Sequence, residues 1–150
     1  MFLIPGIFLF IIGSILLFLL LKGPFSINSL SLHIHPMILG SLISILGYQI
    51  IFLGIYAKTY AVIHLGEKDR IIDLLNKYLN LEKGSLIGLI ILFIGIFYSF
   101  KILYSWSQTN FGPLSEVRTG IFALTLIVIG TQTIFSSFLL SFLGLGKNEN

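Results

Sequence analysis

The sequence predicts an all-α membrane protein, with four transmembrane helices as two tandem helical hairpins plus a cytoplasmic interfacial amphipathic helix. Three observations predict it. Hydrophobic residues fill 56% of the 150 positions and charged residues only 10%, against roughly 25% charged in ordinary soluble domains. The mean hydropathy of +1.02 leaves too few ionisable side chains to coat a water-soluble globule, and so apolar a chain does not stay solvated as a random coil. Four apolar stretches reach the ~20 residues needed to cross the hydrocarbon core of a bilayer.

The first stretch covers residues 2–21 and stops at Lys22-Gly23-Pro24. No basic segment precedes it, and it is longer than the ~7–15-residue apolar core of a signal peptide, so it reads as a retained span. The second covers 37–57, with a helix free to continue to Leu65. The third covers 85–105 and ends at Trp106, and the fourth covers 120–145, before Gly146-Lys147-Asn148-Glu149-Asn150. Residues 1–150 thus read as a single membrane domain.

Between the second and third spans, Ile71, Ile72, Leu74, Leu75, Tyr78 and Leu79 recur at helical spacing. Asp69, Arg70, Asp73, Asn76, Lys77, Asn80 and Lys83 cover the other side. This pattern predicts an amphipathic helix over 67–83 lying in the headgroup plane, with cations available to anionic lipid. A solvated linker with a helical tendency is the alternative.

The cations set the orientation. Lys58, Lys68, Arg70, Lys77, Lys83 and Lys147 lie on one side, and Lys22, Lys101 and Arg118 on the other. The richer side is expected to be cytoplasmic, which places both termini inside. The net charge of +3 comes from this distribution around apolar spans and not from a phosphate-tracking stripe, so no nucleic-acid partner is expected.

The two hairpins resemble one another. Gly6 and Gly13 in the first span are spaced like Gly88 and Gly95 in the third. Gly40, Gly47 and Gly54 in the second are spaced like Gly130, Ser137 and Gly144 in the fourth. Such stripes allow close approach of a neighbouring helix. Gly47-Tyr48-Gln49-Ile50-Ile51-Phe52 echoes Gly130-Thr131-Gln132-Thr133-Ile134-Phe135, and each outer loop carries a Gly-Pro pair, Gly23-Pro24 and Gly112-Pro113. Together these features predict a parallel duplication about an axis along the membrane normal.

Chemistry-bearing residues are scarce. No Asp or Glu lies within the four spans, which argues against a small proton-coupled exporter. Gln49 and Gln132 are the notable intramembrane polar residues. They suit interhelical hydrogen bonds or, alternatively, a polar notch for part of a lipid ligand. His33 and His35 form a His-x-His on the outer loop without an evident third metal ligand, and Asp69 and Asp73 sit among cations as charge balance. With no cysteine, disulfides, thiol catalysis and zinc-thiolate sites are excluded. There is no Gly-rich phosphate loop, nucleophile elbow or Asp-x-Asp motif. No catalytic residue, metal site or cofactor is therefore expected.

Several segments together resemble a known family. They are His35-Pro36-Met37-Ile38-Leu39-Gly40-Ser41 through Gly47-Tyr48-Gln49, then Leu81-Glu82-Lys83-Gly84, Phe111-Gly112-Pro113-Leu114 and Gly130-Thr131-Gln132-Thr133-Ile134-Phe135-Ser136-Ser137-Phe138-Leu139-Leu140-Ser141. They are similar to the C-terminal transmembrane region of family 2 glycosyltransferases of the polyprenyl-phosphate (dolichol-phosphate mannosyltransferase-like) type. In that family a cytoplasmic GT-A domain precedes the spans and transfers a sugar from a nucleotide donor to a polyisoprenyl phosphate, using a divalent metal held by Asp-x-Asp. No donor or metal residue carries over, because no matching position stands in this sequence.

The resemblance implies a non-catalytic membrane subunit or domain that anchors a cytoplasmic glycosyltransferase and helps to hold the lipid-phosphate acceptor. Lys58, Lys68, Arg70, Lys77 and Lys83 would attract the lipid phosphate and the partner. The alternatives are a small structural accessory subunit of a larger integral membrane complex or, third, a lipid-linked-sugar flippase. The expected partners are membrane lipids including polyprenyl phosphate, a soluble glycosyltransferase or larger membrane complex, and a second copy in a homo-oligomer.

Overall fold

The computed structural model describes residues 3–21, 23, 25–27, 30–32, 34–64, 81–108 and 116–145. Four helices carry the fold: α1 (Leu3–Leu21), α2 (His35–His64), α3 (Leu81–Gln108) and α4 (Val117–Leu145). All four are long and apolar enough to cross a membrane. Between α1 and α2 lie two short antiparallel strands, β1 (Phe25–Ile27) and β2 (Leu30–Leu32), paired Phe25 to Leu32 and Ile27 to Leu30. The strands were not expected, although Phe-Ser-Ile and Leu-Ser-Leu alternate with the period of two that a strand requires.

Three helices outrun the apolar stretches that mark them. The 30 residues of α2 extend about 45 Å at the usual helical rise, half as long again as the ~30 Å hydrocarbon core. A chain that left helical geometry inside lipid would strand its backbone N–H and C=O groups, so the helices end beyond the hydrocarbon. His35 opens α2, with Pro36 in the first turn, where the missing N–H is no loss.

The amphipathic helix expected over 67–83 falls mostly outside the described residues, but Leu81, Glu82 and Lys83 form the first turn of α3. Continuity there has a packing reason. A Cβ on Gly84 would overlap the Ser137 hydroxyl, so this turn already lies against α4.

The helices assemble as two hairpins, α1 on α2 and α3 on α4, joined by α2 against α4, with α1 also touching α4. Within each hairpin the backbones nearly touch. A Cβ on Gly6 would lie 2.9 Å from the Ile51 nitrogen and 3.1 Å from the Gly47 carbonyl oxygen. On Gly13 it would overlap the Ser44 nitrogen and lie 2.6 Å from the Gly40 carbonyl oxygen. The second hairpin repeats the arrangement. A Cβ on Gly88 would lie 2.8 Å from the Ile134 nitrogen and 2.9 Å from the Gly130 oxygen, and one on Gly95 would lie 2.9 Å from the Ile127 nitrogen and 3.0 Å from the Ala123 oxygen. Gly6, Gly13, Gly40 and Gly47 thus correspond to Gly88, Gly95, Ala123 and Gly130.

The seam between hairpins has another chemistry. Ser41 pairs with Thr125 at 2.6 Å and Tyr48 with Thr133 at 2.5 Å, so residue numbers rise together and α2 runs parallel to α4. Both hairpins therefore start from the same end, as expected of a duplication about an axis along the membrane normal. At the end bearing the β-strands, Leu17, Leu20, Met37 and Phe122 form the apolar core. Tyr98 and Phe18 pack edge-on against Phe122, with ring centroids 5.7 and 5.6 Å away.

Outward positions carry large apolar side chains, including Ile4, Phe8, Phe93, Phe97, Phe100 and Phe142, whereas Ser41, Ser44, Thr59, Thr125, Thr133 and Ser136 are buried. Small residues inside and greasy ones outside suit hydrocarbon as the solvent, where backbone approach and hydrogen bonds hold helices together.

Gly47→Ala is expected to destabilise the protein by about 1–3 kcal/mol, the usual penalty for overpacking, read as a lower midpoint in detergent unfolding. Gly120→Ala, whose Cβ would find only Ile102 at 4.0 Å, is expected to leave the midpoint unchanged or raise it, because alanine is the better helix former.

Candidate functional site

With one face of α2 committed to α1 and one face of α4 to α3, the remaining inward faces meet across the seam. In the half nearer the α2–α3 connection they do not close. They leave an open groove of about 340 Å³, lined by Tyr48, Gln49, Phe52, Leu53 and Tyr56 from α2 and by Thr131, Gln132, Phe135, Ser136 and Leu139 from α4. The spacing along each wall is that of one helix face. Each α2 residue is also the repeat equivalent of one α4 residue: Tyr48 of Thr131, Gln49 of Gln132, Phe52 of Phe135, Leu53 of Ser136 and Tyr56 of Leu139. The groove therefore straddles the axis relating the two hairpins, and the echoing Gly-x-Gln-x-Ile-Phe segments are its walls.

Hydroxyl groups set its width. Thr133 donates to the Ile129 carbonyl at 2.7 Å and so has no hydrogen left for Tyr48, which must be the donor to Thr133. By the same count Thr125 donates to the Ile121 carbonyl at 2.7 Å, making Ser41 the donor to Thr125. Tyr56 stands two helical turns beyond Tyr48 and meets Ser136, one turn beyond Thr133. Two tyrosines of α2 are thus tied to α4 at the groove's two ends. Phe10 of α1 backs Tyr48, with ring centroids 5.7 Å apart.

The two amides remain. Gln49 is exposed in the groove. Gln132 is half-buried, and its Oε1 is buried without a hydrogen-bond partner among the described residues. The structure brings Gln49 and Gln132 to one groove but shows no hydrogen bond between them.

Of the cations expected to meet lipid phosphate, Lys58 lies two residues beyond Tyr56 on α2 and is half-buried, and Lys83 is exposed in the first turn of α3. Lys68, Arg70 and Lys77 lie outside the described residues, as does His33; His35 is exposed at the start of α2. Among the small residues, Gly40 and Gly47 face α1, while Gly88 and Gly95 face α4. Gly130 faces α3, and the Ser137 hydroxyl lies against Gly84 and donates to the Thr133 carbonyl at 2.8 Å. Gly54 is buried on α2, and Gly144 lies in the last turn of α4. Among the described residues no three His, Cys, Asp or Glu side chains gather where they could hold a metal ion.

Sequence reasoning passed over Tyr48, Phe52 and Tyr56 as site residues. The available signal was an aromatic at every fourth position of the echoed segment, standing opposite hydroxyl residues on α4.

Comparison with known proteins adds an independent line. Residues 55–144 match the family described as the glycosyltransferase family 2 C-terminal transmembrane region. The low-salt glycan biosynthesis hexosyltransferase Agl6 of Haloferax volcanii is 29% identical over 140 residues, which cover 93% of this chain and 34% of that protein. The chain therefore spans about a third of the relative's length. No solved structure matches.

Tyr48→Phe is expected to lower stability by about 0.6 kcal/mol, the average for an interhelical hydrogen bond in a membrane bundle. A double-mutant cycle with Thr133→Val should return a coupling energy of that size; zero coupling would mean that the hydroxyl pair does not hold the seam.

Proposed function

Because the chain belongs to the family of glycosyltransferase family 2 C-terminal transmembrane regions, we propose that it is the membrane part of a transferase that moves a sugar onto a polyprenyl phosphate. In this reading it anchors a cytoplasmic transferase, as a domain of the same polypeptide or as a separate chain, and holds the acceptor lipid at the membrane face. The printed name of the Haloferax volcanii relative, a glycan biosynthesis hexosyltransferase, favours sugar transfer as the chemistry served.

The position of the groove carries the proposal. The groove occupies the half of the α2–α4 seam nearer the α2–α3 connection, and Lys58 and Lys83 lie towards that same end. A lipid whose chain lies in the groove would bring its phosphate out at the membrane face that carries these cations. The sequence adds Lys68, Arg70 and Lys77 to the same connection. Each cation near an anionic group contributes about 1 kcal/mol, so several together bias the position of a phosphate strongly. The excess of cations also favours that face as cytoplasmic, which would put the phosphate on the side of the transferase.

Among the described residues no group of three His, Cys, Asp or Glu side chains could hold a metal ion. The chain's part in the reaction is to place the acceptor oxygen at a fixed depth and limit its motion, a proximity contribution, while the chemistry belongs to the catalytic domain.

Replacing Lys77 and Lys83 together by Glu should lower retention of polyprenyl phosphate through purification about tenfold or more, on the scale of about 1 kcal/mol per cation. Mass spectrometry of lipid bound in gentle detergent reads the effect. Unchanged retention would remove the cation cluster from the acceptor site.

A further inference from the structure

Gln49 and Gln132 stand on opposite walls of the groove. Ser41 meets Thr125 and Tyr48 meets Thr133, so a residue of α2 faces one numbered 84 or 85 higher on α4. By that register Gln49 lies within two residues of the level of Gln132, about 3 Å or less along the helix axes. The chemistry of the two amides matches across the gap. Gln132 Oε1 is a buried acceptor without a donor among the described residues. Gln49 is exposed on the facing wall, and its Nε2 carries two donor hydrogens. Packed helices lie about 8–10 Å apart, axis to axis, a separation that two extended glutamine side chains can bridge. Depth removes other partners. Gln49 precedes Lys58 by two and a half turns of α2, about 13 Å, so neither bulk water nor a phosphate head group is at hand for an amide there.

We propose that Gln49 and Gln132 are a latch: Gln49 Nε2 donates to Gln132 Oε1 across the empty groove, and an entering lipid chain breaks this bond. The arrangement with the amides apart is the open form. The inference rests on the acceptor-lipid reading above for what enters, and adds how entry is regulated. In the closed form the paired amides lie as a bar across the deeper end of the groove, beside Tyr48. The tyrosine bonds to Thr133 and Ser136 hold the walls in either form, so the change is confined to side chains. An interhelical hydrogen bond in a membrane bundle is worth about a threefold shift in population. Van der Waals contact with a lipid chain can offset a bond that weak. The apparent affinity of the groove is then lowered by the fraction of molecules that are latched. The repeat axis explains why both halves of the latch are the same residue, since it sets equivalent positions of α2 and α4 opposite one another.

The chain carries three glutamines, Gln49, Gln108 and Gln132, so selective nitrogen-15 labelling of glutamine gives three side-chain amide signals. The full chain is placed in phosphatidylcholine nanodiscs, and the Gln49 signal is identified by its loss in Gln49→Met. Gln132→Met keeps the length of the side chain and removes the carbonyl. It should move the Gln49 amide protons upfield as their acceptor goes, and dihexadecyl phosphate, added as a minor component, should move the wild-type signal the same way. The same variant should retain about threefold more dihexadecyl phosphate than the wild type, counted by native mass spectrometry, because the latched form no longer competes. A residue that merely touched the lipid would give the opposite sign. Gln132→Leu serves as a second carbonyl-free variant should Gln132→Met unfold. A Gln49 signal indifferent to loss of the Gln132 carbonyl, or retention that stays level or falls, overturns the latch while leaving the acceptor-lipid reading intact. Retention by neither protein above the phosphatidylcholine background overturns that reading and the latch as its gate.

Discussion

Everything in this bundle depends on the approach of two backbones within each hairpin. At Gly6 and Gly13 the chain of α1 comes so near α2 that no Cβ fits, and at Gly88 and Gly95 the chain of α3 does the same against α4. In hydrocarbon no hydrophobic force drives such an encounter, because lipid tails satisfy a leucine as well as another helix does. Intimate van der Waals contact is what remains, and it requires glycine on one partner and glycine or alanine on the other where the backbones approach. Each hairpin becomes one stiff unit, with one face of α2 and one face of α4 fully used. The faces left over meet at the seam, and their chemistry is free to differ.

The seam uses that freedom. Larger side chains hold α2 and α4 together, through Ser41 on Thr125, Tyr48 on Thr133 and Tyr56 on Ser136. Towards the β-strand end, Met37 and Phe122 fill the space with Leu17 and Leu20 of α1. Towards the other end the rings and amides stand too far apart to fill it, and the groove results. Gln132 shows the consequence. Its Oε1 is buried without a partner among the described residues, on the wall of the groove that Gln49 also lines.

The legible part of this structure was the part written in long-range pattern. Span number followed from hydropathy, and the repeat from glycine spacing and the Gln49 and Gln132 segments, because a membrane helix must be apolar throughout and small wherever it touches another. The helix ends were less legible. Leu81 to Lys83 read as the end of a surface helix because their polarity suits a headgroup region, whereas the contact of Gly84 with Ser137 makes them the start of α3. Ala123 was invisible as a contact residue because it stands where the first hairpin has Gly40, and a methyl group breaks a glycine stripe on paper without breaking the packing. The groove was half-legible. Its two walls were the repeated segment, but nothing in one dimension tells that the two copies face each other instead of facing lipid.

Duplication explains why the groove lies where it does, and divergence explains what it can do. Two hairpins related by an axis along the membrane normal must present equivalent positions to one another, so any gap on that axis begins as a symmetric one. A symmetric gap offers the same wall on both sides. Here the packing elements have stayed alike, Gly47 with Gly130 and Gly6 with Gly88, while the walls have parted: Tyr48 against Thr131, Leu53 against Ser136, Tyr56 against Leu139. The same substitutions that broke the symmetry also supplied the bonds across it, since Tyr48 and Tyr56 find acceptors on α4 only because that helix carries hydroxyls. Unlike walls and the bonds that cross the seam therefore have one origin.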